Sequence, residues 1–275
     1  MGMNRKTIKG LVEIHKKYDA FFIDIWGVIH NGIKLYPGAI EVLENLLKSK
    51  KRLVLMSNAP RPSKKVEGLL KKMKMNKIFF KYIFTSGEAA LKSLQKNVYG
   101  KKFFHLGPKR DDSLFKGFEE NKKDLSKADF ILCTGFLDGH EADLDYYKNL
   151  LKNFTKIKMV CTNPDLVVHR GLKEEYCAGT LAALFKEFGG KVIYFGKPYP
   201  EIYKFCINEN NEKILVIGDN ILTDIKGANN MKFDSLLITH GIHKDEFLNL
   251  PSNKYDRILK KYHTSTNYYQ ERLIW

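Results

Sequence analysis

The sequence predicts an α/β protein whose core has three layers, with helices on both faces of a parallel, Rossmann-like sheet. Two observations predict this class: near-continuous apolar runs, typical of strands buried on both faces, and helical patterns that separate those runs along the chain. A third observation, a separate set of strand and helix candidates in the middle of the chain, predicts an inserted α/β unit. At 275 residues, the chain is long enough for both units to bury a core.

Each core element follows from its local pattern. Strands are predicted at "AFFIDI" (20–25) and "RLVLMS" (52–57). Between them, the segment "AIEVLENLLKSK" places five apolar residues on one helical face: Ala39, Val42, Leu43, Leu46 and Leu47. A second helix is predicted at "SKKVEGLLKKMK". Near the other end, "KILVIGD" and "SLLITHG" repeat the strand pattern on either side of a helix around "TDIKGANN".

The middle of the chain has strand and helix candidates of its own. The strand candidates are "KKFFHLG", "ADFILCTG" and "IKMVCTN", and the helix candidates are "ADLDYYKNLLKNF" and "CAGTLAALFKEFGG". We therefore expect three segments: the first part of the core at 1–86, the inserted α/β unit at 87–191, and the second part of the core at 192–275.

The net charge of +16 raises the question of a nucleic-acid partner, since clustered Lys and Arg attract phosphate backbones. The basic residues are mostly Lys and are spread along the whole chain, which argues against a specific nucleic-acid site. No apolar run approaches the ~18 residues that span a bilayer, and the four cysteines form no CxxC pair. We expect a cytoplasmic protein with no membrane partner, whose positive field attracts small phosphorylated anions.

Polar residues stand at the ends of three predicted strands. Asp24 ends the first apolar run, Ser57 ends the second, and Asp219 ends the run "KILVIGD". In open α/β sheets, ligands bind beyond the carboxyl ends of the strands, so these three side chains are expected to converge on one pocket.

Four spaced segments resemble those of the haloacid dehalogenase superfamily of aspartyl-nucleophile hydrolases. "FFIDIWGVI" places Asp24 at the nucleophile position, and "LMSN" places Ser57 at the phosphoryl-binding position. "FGKPYPEIY" supplies Lys197, and "VIGDNILTD" supplies Asp219 and Asp224. The order and spacing of the four segments cover almost the whole chain, which makes the resemblance specific.

The spacing also resembles one class within the superfamily. Only 33 residues separate Asp24 from Ser57, whereas 140 separate Ser57 from Lys197, so the insert lies in the second gap. That position is similar to the C2-type cap of class II, and "CTNPDLVV" followed by "FGKP" is similar to the NagD-like subclass, class IIA. "DIWGVIHNG", "SNAPRPS" and "YCAG" further resemble a branch of this subclass that has Trp in place of the second motif I Asp.

The resemblance implies a Mg²⁺-dependent hydrolase that acts on a small phosphorylated metabolite through an aspartyl-phosphate. Asp24 and Asp219 would be direct metal ligands together with the backbone carbonyl of Trp26, and Asp224 would act through water. The Ser57 hydroxyl would hold the phosphoryl group, and Lys197 would neutralise Asp24 and a phosphoryl oxygen.

Further residues are candidates for binding the substrate. Arg61 in "SNAPRPS" has the geometry to bind a phosphate or carboxylate through two hydrogen bonds. The cap is expected to decide the substrate, with Asp138 as one candidate beside the two in "CTNPD". The full set of predicted substrate-binding residues is His30, Asn58, Arg61, Asn163 and Asp165. The resemblance leaves open whether the protein forms a homodimer.

Trp26 departs from the family pattern. Family phosphatases normally have an Asp here that protonates the leaving oxygen and later activates water, and an indole does not exchange a proton in this way. General acid–base catalysis contributes about 10²- to 10⁴-fold, so the enzyme is expected to be slow or specialised. His30, on the same loop, is a candidate proton donor. Two alternatives remain: a module that binds a phosphorylated metabolite without turnover, and dehalogenase-type chemistry, which needs no leaving-group acid.

Overall fold

The computed structural model describes residues 6–170, 173–208 and 211–275. The strands, in chain order, are β1 (Ala20–Asp24), β2 (Arg52–Ser57), β3 (Ile83–Thr85), β4 (Phe103–Leu106), β5 (Phe130–Cys133), β6 (Lys158–Cys161), β7 (Val167–Arg170), β8 (Lys173–Tyr176), β9 (Val192–Tyr194), β10 (Ile214–Gly218), β11 (Asp234–Ile238) and β12 (Tyr268–Gln270).

The α-helices are α1 (Pro37–Lys48), α2 (Ser63–Lys72), α3 (Ser86–Leu94), α4 (Leu144–Leu151), α5 (Ala178–Glu187), α6 (Pro200–Lys204), α7 (Lys226–Met231), α8 (Lys244–Phe247) and α9 (Tyr255–Lys261). A π-helical turn, Ile221–Ile225, leads directly into α7. In the part of the chain that the structure describes, no helix is long and apolar enough to cross a membrane.

The core is a six-stranded parallel sheet in the order β12-β11-β10-β1-β2-β3. β1 lies inside the sheet, with Asp24 opposite Met56 of β2 and Ile23 opposite Ile217 of β10. The chain winds outward from β1 through β2 to β3, and it later winds from β10 to β12 on the other side. The loops that leave β1 and β10 therefore diverge, and this reversal is where open α/β sheets bind ligands.

Apolar side chains cover both faces of the core sheet, which confirms the predicted three layers. On one face, a buried cluster joins the sheet to Leu43 of α1 and Leu70 of α2. On the other face, Phe22 of β1 packs in a cluster with Tyr203 of α6 and Ala228 of α7. Because the strands are buried on both sides, their sequences are apolar without alternation, as the sequence predicted.

A separate four-stranded parallel sheet, in the order β4-β5-β6-β9, forms the centre of the inserted unit, called the cap below. One face packs against α4 and α5 through a cluster that includes Tyr147 and Phe185. The other packs against α3 through Ala90 and Leu94. Both helices predicted inside the insert are present as α4 and α5. An antiparallel hairpin, β7 and β8, projects between β6 and α5.

The cap sheet extends slightly beyond the expected insert. We expected the insert at 87–191, and β9 (192–194), which pairs with β6, lies just after that range. A three-residue strand gives too weak a pattern to reveal which sheet it joins. The division of the chain into 1–86, 87–191 and 192–275 remains a proposal.

Polar contacts join the cap to the core loop that follows β2. Ser86 Oγ lies 3.0 Å from the carbonyl oxygen of Ala59 in the core and 2.5 Å from that of Thr162 in the cap. Arg61 of the core forms an ion pair with Asp111, a buried carboxylate of the cap. These contacts fix the cap above the carboxyl ends of the core strands.

We predict that Leu43→Ala lowers the free energy of unfolding by about 2–5 kcal/mol, the usual range for deleting a fully buried leucine side chain. Glu44→Ala, at the neighbouring exposed position of α1, should change it by less than about 0.5 kcal/mol. Both tryptophans, Trp26 and Trp275, lie in the core part of the chain, so urea denaturation followed by tryptophan fluorescence measures core unfolding. Equal effects of the two substitutions would contradict the packing described for α1.

Candidate active site

Three polar side chains meet at the carboxyl edge of the core sheet, as the sequence predicted. Asp24 is the last residue of β1, Ser57 is the last residue of β2, and Asp219 follows β10. All three line one cavity of about 970 Å³, whose wall is completed by residues of the cap. Each side chain is less than a tenth exposed, so the cavity floor is a buried polar surface.

Lys197 joins two carboxylates at the floor of this cavity. Its ammonium Nζ donates to Asp24 Oδ1 and, over 2.6 Å, to Asp224 Oδ1. Burial opposes a charge on Lys197, but the carboxylates of Asp224 and Asp24 outweigh burial and raise its pKa well above the ordinary value. The lysine is therefore a fixed positive charge beside Asp24.

Asp24, Asp219 and Asp224 form a compact acidic cluster. Each offers one carboxylate oxygen, and the three oxygens lie within 4.8 Å of one another. Burial raises the pKa of Asp24 well above its usual range, and Lys197 only partly offsets this. Burial and then the neighbouring Asp224 raise the pKa of Asp219 to about 7. Full ionisation of the cluster therefore needs more positive charge than Lys197 provides.

Two glycines make room for these carboxylates. Gly27 has φ +89°, and a Cβ there would lie 2.1 Å from Asp219 Oδ2. Gly218, at the end of β10, would place a Cβ 2.1 Å from the carboxyl carbon of Asp224. The close approach of the loops after β1 and β10 therefore depends on residues without side chains.

The donor set fits Mg²⁺. The cluster presents oxygen atoms only, as this hard cation prefers, and three carboxylates face a single ammonium. Both oxygens of Asp224 already accept hydrogen bonds, one from Lys197 and the other from the backbone N–H of Asn220 at 3.1 Å. Asp224 is therefore already engaged within the protein, which leaves Asp24 and Asp219 as the candidates for direct ligands.

In the loop after β2, Ser57 faces the cavity, and the Asn58 side chain bonds other groups of the protein. Ser57 Oγ accepts the backbone N–H of Ala59 at 3.1 Å, which leaves its own O–H free to donate to a phosphoryl oxygen. The Asn58 amide bonds Lys197 twice: its Oδ1 accepts the backbone N–H at 2.8 Å, and its Nδ2 donates to the backbone carbonyl at 3.0 Å. Nδ2 also donates to Asp165 Oδ1 at 3.1 Å. Asn58 therefore positions Lys197.

Arg61 lines the cavity, but its guanidinium has a partner in the protein. Its Nε donates to Asp111, which the cap contributes. The sequence predicted Arg61 as a residue that binds substrate, which stays a prediction, and its contact with Asp111 also places it in the junction of core and cap. Asp111 was not foreseen, because its pairing joins segments 50 residues apart.

His30 is not brought to the cavity. It is 1% exposed in a compact turn, where its Nδ1 accepts the backbone N–H of Gly32 at 2.8 Å. Its ring meets the edge of Trp26 with the ring centroids 5.0 Å apart. Burial lowers the pKa of His30 to about 4, so the imidazole is neutral near pH 7. Trp26, in contrast, lines the cavity directly after the Asp24 strand.

The cap contributes Asp138, Asn163 and Asp165 to the cavity wall. Asn163 Oδ1 accepts the backbone N–H of Asp165 at 3.1 Å, and Asp138 accepts the backbone N–H of Lys109 at 3.0 Å. Burial raises the pKa of Asp165 to about 6, while Lys197 and Asn58 oppose that rise. All three predicted cap residues therefore reach the site.

Other wall residues were not anticipated from the sequence. His240 follows β11 at the carboxyl edge of the sheet, and its place after the run "SLLIT" is the signal that should have found it. The hairpin strand β8 contributes residues 173–176, of which only the last, Tyr176, belongs to a quoted segment, "YCAG". The side chain of Arg110, next to Asp111, also reaches the cavity.

Two family models match the two parts of the core. One, for haloacid dehalogenase-like hydrolases, matches residues 21–119, and a second, HAD-hydrolase-like model matches residues 194–264. Among solved structures, a haloacid dehalogenase-like hydrolase from Brucella suis is 29% identical, with a TM-score of 0.78 over 86% of this chain and 90% of that one. A possible sugar phosphatase from Cytophaga hutchinsonii shares the fold, with a TM-score of 0.77 at 20% identity over 100% of this chain and 99% of that one.

Curated relatives are similar over most of their length. Phosphoglycolate phosphatase 1A of Arabidopsis thaliana is 26% identical over 92% of this chain and 77% of its own. The ribonucleotide monophosphatase NagD of Escherichia coli is 26% identical over 80% of this chain and 86% of its own. The matched models, the inserted cap and the acidic cluster agree with one another. The chain belongs to the haloacid dehalogenase superfamily, as a phosphatase of its NagD-like class with a C2-type cap.

Proposed function

We propose that the protein is a Mg²⁺-dependent hydrolase of a small phosphorylated metabolite, which acts through an aspartyl-phosphate at Asp24. The observation that carries this proposal is the position of Asp24, bound to Lys197 and within 4.8 Å of Asp219 and Asp224. Relatives named for phosphoglycolate, for ribonucleotides and, in Bacillus subtilis, as a 5'-nucleotidase support a small phosphate ester as the substrate.

The metal would be held by Asp24, Asp219 and the backbone carbonyl of Trp26, with Asp224 acting through water. When bound, the ion supplies positive charge that offsets the repulsion between a carboxylate and a phosphoryl group. The raised pKa values of Asp24 and Asp219 support this assignment, since they express the cost of burying two anions close together.

The residues of the chain divide the chemistry among them. Asp24 attacks phosphorus, which splits a difficult hydrolysis into two easier steps. Lys197 keeps Asp24 oriented and adds positive charge beside it. Ser57, whose O–H is free to donate, holds a phosphoryl oxygen. The paired acids at Asp219 and Asp224 support phosphoryl transfer over dehalogenation, which needs no metal.

Trp26 leaves the loop after β1 without a group that transfers a proton. It occupies the cavity wall two residues after Asp24, and its indole does not take part in proton transfer at neutral pH. His30, buried with a pKa of about 4 and pointed into a turn, is not placed to substitute. The loop that carries the nucleophile therefore lacks an acid, so turnover depends strongly on the leaving group or on a proton donor from another element.

We predict that the purified protein hydrolyses phosphate monoesters in the presence of Mg²⁺ and that Asp24→Asn lowers kcat on the order of 10³-fold or more, because the amide is a poor nucleophile. Asp19→Asn is the matched control, since Asp19 is exposed just before the opposite end of the same strand. A panel of phosphate esters and acyl phosphates, measured with Mg²⁺ and with chelator, makes the test. Tight binding of a phosphorylated compound without turnover would support the binding module instead.

We predict that Mg²⁺ stabilises the protein more at pH 8 than at pH 5. With its pKa raised to about 7, folded Asp219 retains a proton that the unfolded chain releases at about pH 4. Its contribution to stability is complete below about pH 4 and is lost as the pH rises through about 7. Mg²⁺ replaces the proton, and a hundredfold excess over Kd adds about 2.7 kcal/mol.

Thermal melts in chelator and in excess Mg²⁺, at both pH values, measure this linkage. Asp219→Asn should reduce both the loss of stability with pH and the gain from Mg²⁺, whereas Asp19→Asn should preserve them. Melting temperatures that do not respond to Mg²⁺ at either pH would contradict the metal assignment.

A further inference from the structure

We propose that Asp165 of the cap is the proton donor and acceptor of the reaction, in the role that Trp26 leaves vacant on the nucleophile loop. This inference rests on the proposed function and names a catalytic residue for it. It assigns the acid to a different element and a different structural unit from the nucleophile.

The first support is the connection of Asp165 to the catalytic lysine. Asp165 Oδ1 accepts a hydrogen bond from Asn58 Nδ2, and the same Asn58 amide holds both backbone polar groups of Lys197. Lys197 in turn donates to Asp24. One side chain of the core thus fixes the position of the cap carboxylate relative to the group that contacts the nucleophile.

The second support is the rigidity of the segment that carries Asp165. Its backbone N–H donates to Asn163 Oδ1 at 3.1 Å, and its backbone carbonyl accepts the N–H of Gly179 in the first turn of α5, also at 3.1 Å. Gly179 allows this approach, since a Cβ there would lie 2.4 Å from the Asp165 carbonyl oxygen. A carboxylate held at both its backbone and its side chain is preorganised for proton transfer.

The third support is an open oxygen. Asp165 lines the cavity, and among the residues described no donor bonds its second carboxylate oxygen. Three other carboxylates of the cap wall are less suitable. Asp111 is committed to Arg61, and Asp138 and Glu141 are exposed, each with one oxygen bound to a backbone N–H. Asp165 therefore combines shelter from solvent with an oxygen free to carry a proton.

The surroundings of Asp165 also suit an acid that works near neutral pH. The charged groups that act on it are Lys197, which favours the carboxylate, and Asp224, which disfavours it. The thiols of Cys161 and Cys177 are the other titratable neighbours, and burial keeps both of them protonated. Burial raises the pKa of Asp165 to about 6, and general acids are most effective when their pKa lies near the working pH.

The two steps balance with Asp165 as the proton carrier. In the first, Asp24 forms a bond to phosphorus while the bond from phosphorus to the leaving oxygen breaks. That oxygen keeps the electron pair and takes the proton of the Asp165 carboxyl, so a neutral alcohol leaves. In the second, Asp165 carboxylate takes a proton from water as the water oxygen attacks phosphorus. The aspartyl-phosphate bond breaks, its electron pair returns to Asp24, and Asp165 is protonated again.

The test is the dependence of kcat/KM on the leaving group in Asp165→Asn, which keeps the oxygen that accepts from Asn58. We expect a loss of about 10²- to 10⁴-fold for alkyl phosphates and less than about tenfold for nitrophenyl phosphate, whose leaving group departs without a proton. We expect kcat/KM of the wild type with alkyl phosphates to fall above about pH 6, and this fall should be absent in Asp165→Asn. Asp145→Asn, at an exposed carboxylate on α4, is the matched control and should behave as the wild type.

A second variant separates chemistry from structural damage. Trp26→Asp places a carboxyl on the nucleophile loop, so in the Asp165→Asn background it should restore hydrolysis of alkyl phosphates; a folding defect would not be repaired in this way. Equal losses for all leaving groups in a folded Asp165→Asn protein, with no rescue by Trp26→Asp, would overturn the role of Asp165 and leave the proposed function standing. A wild type that hydrolyses no phosphate ester would overturn the proposed function, and Asp165 with it.

Discussion

The hydrogen bonds that Lys197 makes with Asp24 and Asp224 are the interaction on which the site depends. They draw three chain segments together: the end of β1, the loop after β9, and the π-helical turn after β10. Burying one ammonium between two carboxylates costs solvation energy that only close pairing offsets. The surrounding apolar sheet supplies rigidity, and the glycines at 27 and 218 supply the space. The excess negative charge that remains explains why the site suits a divalent cation.

The cap is part of this polar network as well as a cover for it. Asn58 connects the backbone of Lys197 with Asp165, and Arg61 connects the same core loop with Asp111. The loop after β2 therefore has contacts on two sides. Ser57 faces the cavity, whereas Asn58 and Arg61 bind residues of the cap. These contacts hold the cap close to the core, so that the Asp165 carboxylate lines the same cavity as Trp26 and Asp24.

Much of the fold could be predicted because its signals are local. The apolar runs of β1, β2, β10 and β11, and the apolar face of α1, are readable from neighbouring residues. Asp24, Ser57 and Asp219 were predictable for the same reason, since each ends a strand of a parallel sheet. The position of His30 could not be predicted in this way. The sequence shows that His30 lies on the loop after β1, but it does not show that the ring is held within a compact turn outside the cavity. The pairing of Arg61 with Asp111 was likewise not predictable, because only tertiary folding brings the two residues together.

The most direct test of a nucleophilic Asp24 is to trap the intermediate. Acid quenching during turnover of a phosphate ester with Mg²⁺, followed by peptide mass spectrometry, should reveal one added phosphoryl group on the peptide that contains Asp24. The same peptide from Asp24→Asn should carry none. Phosphoryl label on another residue, or rapid turnover with no phosphorylated enzyme at any quench time, would contradict the mechanism.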